Sequence, residues 1–116
     1  MKRALVVDDE VDICMLLMKH LETVGFETQY ALTAKEARLK LLSSPYEIMF
    51  IDLNLADGSG FDIINFRNKL NLKTKIIVIS AYDSAASKAI DTGANFFVTK
   101  PFAIKKINEA LGTLDL

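Results

Sequence analysis

The sequence predicts an α/β fold, a parallel sheet covered by helices on both faces. Three observations carry this. Four short apolar runs (Ala4-Leu5-Val6-Val7, Ile48-Met49-Phe50-Ile51, Ile76-Ile77-Val78-Ile79 and Phe96-Phe97-Val98-Thr99) are β-branched and aromatic, as buried parallel strands are. Between them, apolar residues recur at helical spacing. Gly, Pro, Ser and Asp residues punctuate each change of period. A β-then-α unit repeated five times implies parallel strands with crossover helices.

Taken in order, the first run ends at Asp8-Asp9, and Asp12 to Val24 reads as a helix. Its face carries Ile13, Leu16, Leu17, Leu21 and Val24. Gly25 is the expected left-handed stop, with Phe26 folding back as its hydrophobic partner. A weaker strand fits Glu27 to Ala31. Thr33-Ala34-Lys35-Glu36 reads as a capping box that opens a helix through Leu42, with Ala37, Leu41 and Leu42 inward. Ser43-Ser44-Pro45 breaks it before the strand that leads to Asp52. Leu53 to Gly60 reads as a loop, and Phe61 to Leu70 as a helix with Phe61, Ile64 and Leu70 on one face. After the strand ending at Ser80, an Ala-rich helix over Ser84 to Thr92 stops at Gly93. The last strand runs into Lys100-Pro101, and Ile104 to Leu114 closes the chain as a helix with Ile107 and Leu111 inward. No linker, internal repeat or low-complexity tract interrupts the pattern, so residues 1–116 are expected to form one domain.

Bulk composition narrows the function classes. With 51% hydrophobic and 25% charged residues the chain is a folding, globular sequence. A net charge of −1 and a pI near 5.8 leave no basic footprint for direct nucleic-acid binding. Cys14 is the sole cysteine, which excludes an internal disulfide and a cysteine-based zinc site. No apolar stretch reaches the ~18 residues of a membrane span, so a cytoplasmic location with no membrane partner is the expectation.

In open α/β sheets the functional crevice lies outside the carboxyl ends of the strands. The runs above end on Asp8-Asp9, Asp52, Ser80 and Lys100, so three carboxylates, a hydroxyl and an ammonium converge there. That set suits an anion held together with a divalent cation, and hence phosphoryl chemistry. Adjacent Asp8 and Asp9 repel unless a cation sits between them and Asp52, and a few hard oxygens fit Mg²⁺ better than Ca²⁺. Asn54 lies where its backbone carbonyl could add another metal oxygen. Asp52 can act as a nucleophile toward phosphorus, Lys100 can pair with a phosphoryl oxygen, and Ser80 can donate its hydroxyl. Each has an ordinary alternative: an acidic turn for Asp8-Asp9, a cap for Asp52 or Ser80, a solvated surface lysine for Lys100.

Val7-Asp8-Asp9-Glu10, Asp52 through Gly60, Ser80-Ala81 and Lys100-Pro101-Phe102 occur in this order on alternating strands and helices. On those pieces the chain resembles, along essentially its whole length, the receiver domain of two-component response regulators. The resemblance implies a flavodoxin-like five-stranded sheet of order 2-1-3-4-5. It implies Asp52 as phosphoacceptor, with Asp8, Asp9, Asp52 and the Asn54 carbonyl around Mg²⁺, for which Mn²⁺ can substitute. Lys100 would contact the phosphoryl group, Ser80 would be the switch hydroxyl and Phe97 the switch aromatic. Asn54 and Tyr82 would tune phosphoryl lifetime, Tyr82 by crowding out attacking water. The Lys100-Pro101 bond would be cis, although X-Pro bonds in general are cis only about 5% of the time.

The implied partners are a histidine kinase or histidine phosphotransfer protein, which Asp12, Ile13, Leu16 and Lys19 on the first helix help to select, and an unidentified downstream protein. The chain would be a monomer or a phosphorylation-dependent dimer. The implied role is regulatory, with catalysis limited to its own phosphorylation and dephosphorylation. Two departures stand out. Ala56 replaces the family's usual proline, which is expected to loosen the loop after Asp52, and Phe97 replaces a common tyrosine. As a core strand residue, Phe97 would need no switching role. His20 borders the apolar stripe of the first helix and reads as a packing or docking residue. The rival functions are a small aspartyl-phosphate phosphatase, which would want an acid where Asn54 stands, and an unphosphorylated interaction module.

Overall fold

The structure is a computed structural model that describes residues 2–116. The strands are β1 (Lys2–Val7), β2 (Phe26–Ala31), β3 (Ile48–Asp52), β4 (Lys75–Ser80) and β5 (Phe96–Thr99). They form one parallel sheet in the order β2-β1-β3-β4-β5, the flavodoxin-like arrangement expected. The helices are α1 (Val11–Thr23), α2 (Ala34–Ser43), α3 (Gly60–Lys69), α4 (Ala86–Thr92) and α5 (Ile104–Thr113).

Alternation along the strands divides the core in two. Leu5, Val7, Met49, Ile51, Ile76 and Val78 face α2, α3 and α4, where they meet Ala37, Leu41, Ile63, Ile64 and Ala89. Ala4, Val6, Ile48, Phe50, Ile77 and Ile79 face α1 and α5, where they meet Cys14, Leu17, Leu21, Ile107 and Leu111. Burial on both faces explains why the strands read as continuous apolar runs instead of alternating ones. Each large side chain so buried contributes about 1.5–3 kcal/mol.

Several helix faces are rotated from expectation. On α1 the buried stripe is Cys14, Leu17 and Leu21, and Leu16 and Val24 are exposed. A position next to a buried one lies about a quarter-turn away on a helix, so Leu16 turns outward beside Leu17. The same geometry exposes Leu42 beside buried Leu41. On α3 the buried pair is Ile63 and Ile64; Leu70 follows the last helical residue and is exposed. The segment expected as one helix from Ser84 begins as a 3₁₀ turn, Asp83–Ala85, before α4. Gly25 and Gly93 have φ of 98° and 130°, which suits the glycine stops read from the sequence.

At Thr33 the capping box is incomplete. Its hydroxyl accepts from the Glu36 amide at 3.1 Å, and the Glu36 carboxylate turns back to that hydroxyl. The full reciprocal box occurs at the start of α3, between Ser59 and Asp62. The loop after Asp52 is partly regular, since Asn54–Leu55 pairs antiparallel with Gly58–Ser59.

Candidate functional site: the carboxyl edge of the sheet

Register brings the site together. Val7 lies opposite Ile51, Asp52 opposite Ile79, and Ser80 opposite Thr99. Asp8, Asp52, Ser80 and Lys100 therefore emerge at one level from four adjacent strands. Lys100 Nζ lies 2.8 Å from Asp8 Oδ2 and 2.9 Å from Asp52 Oδ2, and reaches Glu10 Oε1 at 3.4 Å. The Lys100-Pro101 peptide is cis, as the resemblance implied.

The two buried aspartates are held in the same way. Asp8 and Asp52 are 2% and 7% exposed. Each gives one carboxylate oxygen to Lys100, while the other accepts a backbone amide two residues on, from Glu10 at 2.9 Å and from Asn54 at 3.1 Å. This Asx-type bond fixes the carboxylate plane without help from any other element. The Asp8 backbone is tied to β2 through its amide and the Ala31 carbonyl, and its carbonyl accepts the Cys14 thiol.

Charge in this crevice is unbalanced. Burial pushes the Asp8 carboxyl above its ordinary value, against the pull of Lys100 and the Glu10 amide. Burial works against the Lys100 ammonium as well, but its contacts with Asp8 and Asp52 prevail and hold its pKa above the ordinary lysine value. Burial, followed by the Asp8 charge, pushes the Cys14 thiol up to about 11, so it stays a neutral packing group.

Asp8, Asp9, Glu10 and Asp52 can each offer an oxygen within 4.8 Å of the others. A cluster of hard carboxylate oxygens with two exposed members fits a divalent cation of the Mg²⁺ kind, which favours such ligands together with water and phosphate. Glu10, present in the sequence motif, was not expected among these ligands; its contact with Lys100 brings it in.

Ser80 is buried, its hydroxyl accepts the Tyr82 amide at 3.2 Å, and its carbonyl accepts the Lys100 amide at 2.7 Å. Phe97 is half-buried and packs against the core under α2, α3 and α4. Tyr82 is 63% exposed. His20, half-buried, meets Asn108 Oδ1 of α5 at 2.6 Å and stands apart from the acidic cluster.

An acidic crevice bridged by one lysine, at the edge of a five-stranded doubly wound sheet, defines a receiver-type α/β fold. The profile of the response regulator receiver domain matches residues 4–112, and the chain belongs to that family, the regulatory receivers of two-component systems. It is 36% identical over 114 residues to the response regulator PilR of Pseudomonas aeruginosa, covering 97% of this chain and 26% of PilR. It is 33% identical to the sensory transduction protein LytR of Staphylococcus epidermidis, covering 98% of this chain and 46% of LytR. The chain thus spans about a quarter to a half of the length of these curated relatives.

Among solved structures it resembles TrrA of Thermotoga maritima in complex with Mg²⁺ and BeF. The TM-score is 0.89 at 32% identity, over 98% of this chain and 99% of that one. A response regulator of Burkholderia pseudomallei with a phosphorylated aspartic acid, calcium ion and citrate gives a TM-score of 0.87 at 27% identity, over 99% of this chain and 70% of that one. Among the described residues no helix is long and apolar enough to cross a membrane.

Proposed function

We propose that this chain is a phosphoacceptor switch, a single receiver unit over residues 1–116, in which Asp52 takes a phosphoryl group from a phosphohistidine. The donor is a histidine kinase or a histidine phosphotransfer protein. An Asp52 carboxylate oxygen forms the new bond to phosphorus as the phosphorus–nitrogen bond breaks. The bonding pair leaves on the imidazole nitrogen, which takes up a proton.

The observation that carries this reading is Lys100 Nζ, 2.9 Å from Asp52 Oδ2 and 2.8 Å from Asp8 Oδ2 within a cluster of four carboxylates. Asp8, Asp9, Asp52 and the Asn54 carbonyl would hold Mg²⁺, or Mn²⁺ in its place, with Glu10 at the rim. A bound divalent cation supplies positive charge beside the phosphoryl oxygens. Lys100 turns from Asp52 to a phosphoryl oxygen and offsets charge there, so the work of the site is positioning and electrostatics. Ser80 exchanges its bond with the Tyr82 amide for one to the phosphoryl group. Phe97 then turns into the vacated space, and the surface of α4, β5 and α5 changes for a downstream protein. Asn54 and Tyr82 set the lifetime of the acyl phosphate by controlling access of water. The TrrA complex with Mg²⁺ and BeF and the phosphorylated aspartic acid of the Burkholderia regulator support the reading. Asn54, where a phosphatase would need an acid, weighs against that rival.

Intact mass with acetyl phosphate tests the proposal. Wild type should gain about 80 Da, one phosphoryl group, with Mg²⁺ and not without it. Asp52→Asn should gain nothing. No gain by wild type under any condition would leave an interaction module that is never phosphorylated.

A further inference from the structure

The loop after Asp52 is fastened at both ends. At its base the Gly60 amide donates to the Leu53 carbonyl at 2.9 Å, and the Asn54 amide to Asp52 Oδ1. At its tip the Asp57 carboxylate leaves the loop altogether. Its two oxygens accept the Ala34 amide at 2.7 Å and the Lys35 amide at 3.1 Å, the first two of α2. Thr33 serves the next two amides, Glu36 through its hydroxyl and Ala37 through its carbonyl. Of the donors that a helix start leaves open, Glu36 is served by the Thr33 side chain, and Ala34 and Lys35 by Asp57, 23 and 22 positions further on; the Ala37 bond is the first within the helix. The Ala34 and Lys35 amides hold the Asp57 carboxyl below its ordinary value, as a charge at a helix start should be held.

Between base and tip lies the two-residue ladder that carries Asn54. Ala56 restricts its own backbone far less than a proline would. A loop without that restriction needs another constraint, and the Asp57 contact supplies one.

We propose that Asp57 is a positioning residue: by docking the loop tip on the start of α2 it fixes the ladder and, with it, the Asn54 backbone beside the acidic cluster. The inference rests on the reading that Asn54 contributes its carbonyl to the cation. A plain helix cap would stabilise α2 and do nothing more. Thr33→Ala separates the two roles, because it removes a bond at the same helix start without touching the loop.

The experiment is an NMR titration of the metal-free protein with Mg²⁺, together with amide hydrogen exchange over residues 54–59. Asp57→Ala should weaken Mg²⁺ binding roughly tenfold, the low end of what outer-sphere partners of a metal site cost when removed. It should also speed exchange across the ladder. Thr33→Ala should change neither. Asp57→Asn, which keeps a neutral acceptor, should fall between and gives the same contrast if the alanine variant fails to fold. Equal effects of the Asp57 and Thr33 variants, or wild-type Mg²⁺ affinity in Asp57→Ala, would overturn the positioning role and leave the phosphoacceptor reading standing. A wild type that binds no Mg²⁺ would bring down both.

Discussion

The two ends of the sheet handle charge in opposite ways. At the amino-terminal end polar groups are discharged by fixed partners. The Arg3 amide donates to Glu47, its guanidinium pairs with Glu27 and lies over the Tyr46 ring, and Lys75 Nζ donates to the Leu114 carbonyl. The Asn95 side chain accepts the Ile76 amide at 2.8 Å. Arg3 and Glu27 face one another across β1 and β2, the other bonds close strand starts, and of these groups the buried Arg3 Nε alone makes no hydrogen bond. At the carboxyl-terminal end four carboxylates face one ammonium, and that ammonium is shared among three of them. Polar residues that serve the fold satisfy one another locally. Those that serve a ligand leave charge over, and here the surplus is negative, which suits a cation.

If that difference is real, substitutions at the two ends should differ in kind. The largest effect is expected at Gly60, where a Cβ would stand 2.5 Å from the Asp52 carbonyl oxygen and 2.9 Å from Leu53 Cα. Both neighbours are backbone, so Gly60→Ala must displace the chain at Asp52, the proposed phosphoacceptor. We expect a loss of about 2–3 kcal/mol, read by urea unfolding, and slower labelling by acetyl phosphate. Unchanged stability and labelling would show that α3 does not brace Asp52.

Next comes Lys100→Met, which leaves Asp8 and Asp52 without their counter-charge. Without metal it should cost about 1–2 kcal/mol, less than a fully buried pair would because the ammonium keeps some contact with solvent. The sign with pH follows from the raised pKa. The contribution of Lys100 is full below its ordinary value of 10.5 and fades as pH rises toward its higher value in the folded protein. The gap between wild type and variant should therefore narrow above pH 10.5 and hold steady through neutrality. A gap that widens at alkaline pH would refute the ion-pair account.

The smallest effects should carry opposite signs. Asn95→Ala, at the amino-terminal end, strips the Ile76 amide of its acceptor in a half-buried bond and should cost about 0.5–1 kcal/mol. Asp9→Asn, at the surplus end, relieves repulsion and should slightly raise the thermal midpoint in metal-free buffer, an advantage that Mg²⁺ abolishes. Destabilisation by both substitutions would erase the contrast between the ends.

The surplus end was the more legible from sequence. Strand ends are marked by the switch from apolar to polar residues, and in a parallel sheet those ends share one edge. Asp8, Asp52, Ser80 and Lys100 could therefore be placed together without knowing a single contact. What depends on the mutual placement of distant loops was not legible. Asp57 on the α2 amides is such a contact, and so is Glu10 turning back to Lys100. Helix faces were read to within one residue and no better, because Leu16 beside Leu17 and Leu42 beside Leu41 leave the phase of an apolar stripe ambiguous. The loop that Ala56 was expected to loosen is fastened by a side chain whose partner lies on another element.

The central claim is that Asp52, among the clustered carboxylates, is the one that takes phosphorus. Borohydride reduction after treatment with acetyl phosphate and Mg²⁺ converts a phosphorylated aspartate to homoserine, and peptide mass spectrometry then locates it. The expected result is homoserine at position 52 alone, with none when Mg²⁺ is withheld. Homoserine at Asp8 or Asp9, or unmodified Asp52 in a protein that has gained a phosphoryl group, would contradict it.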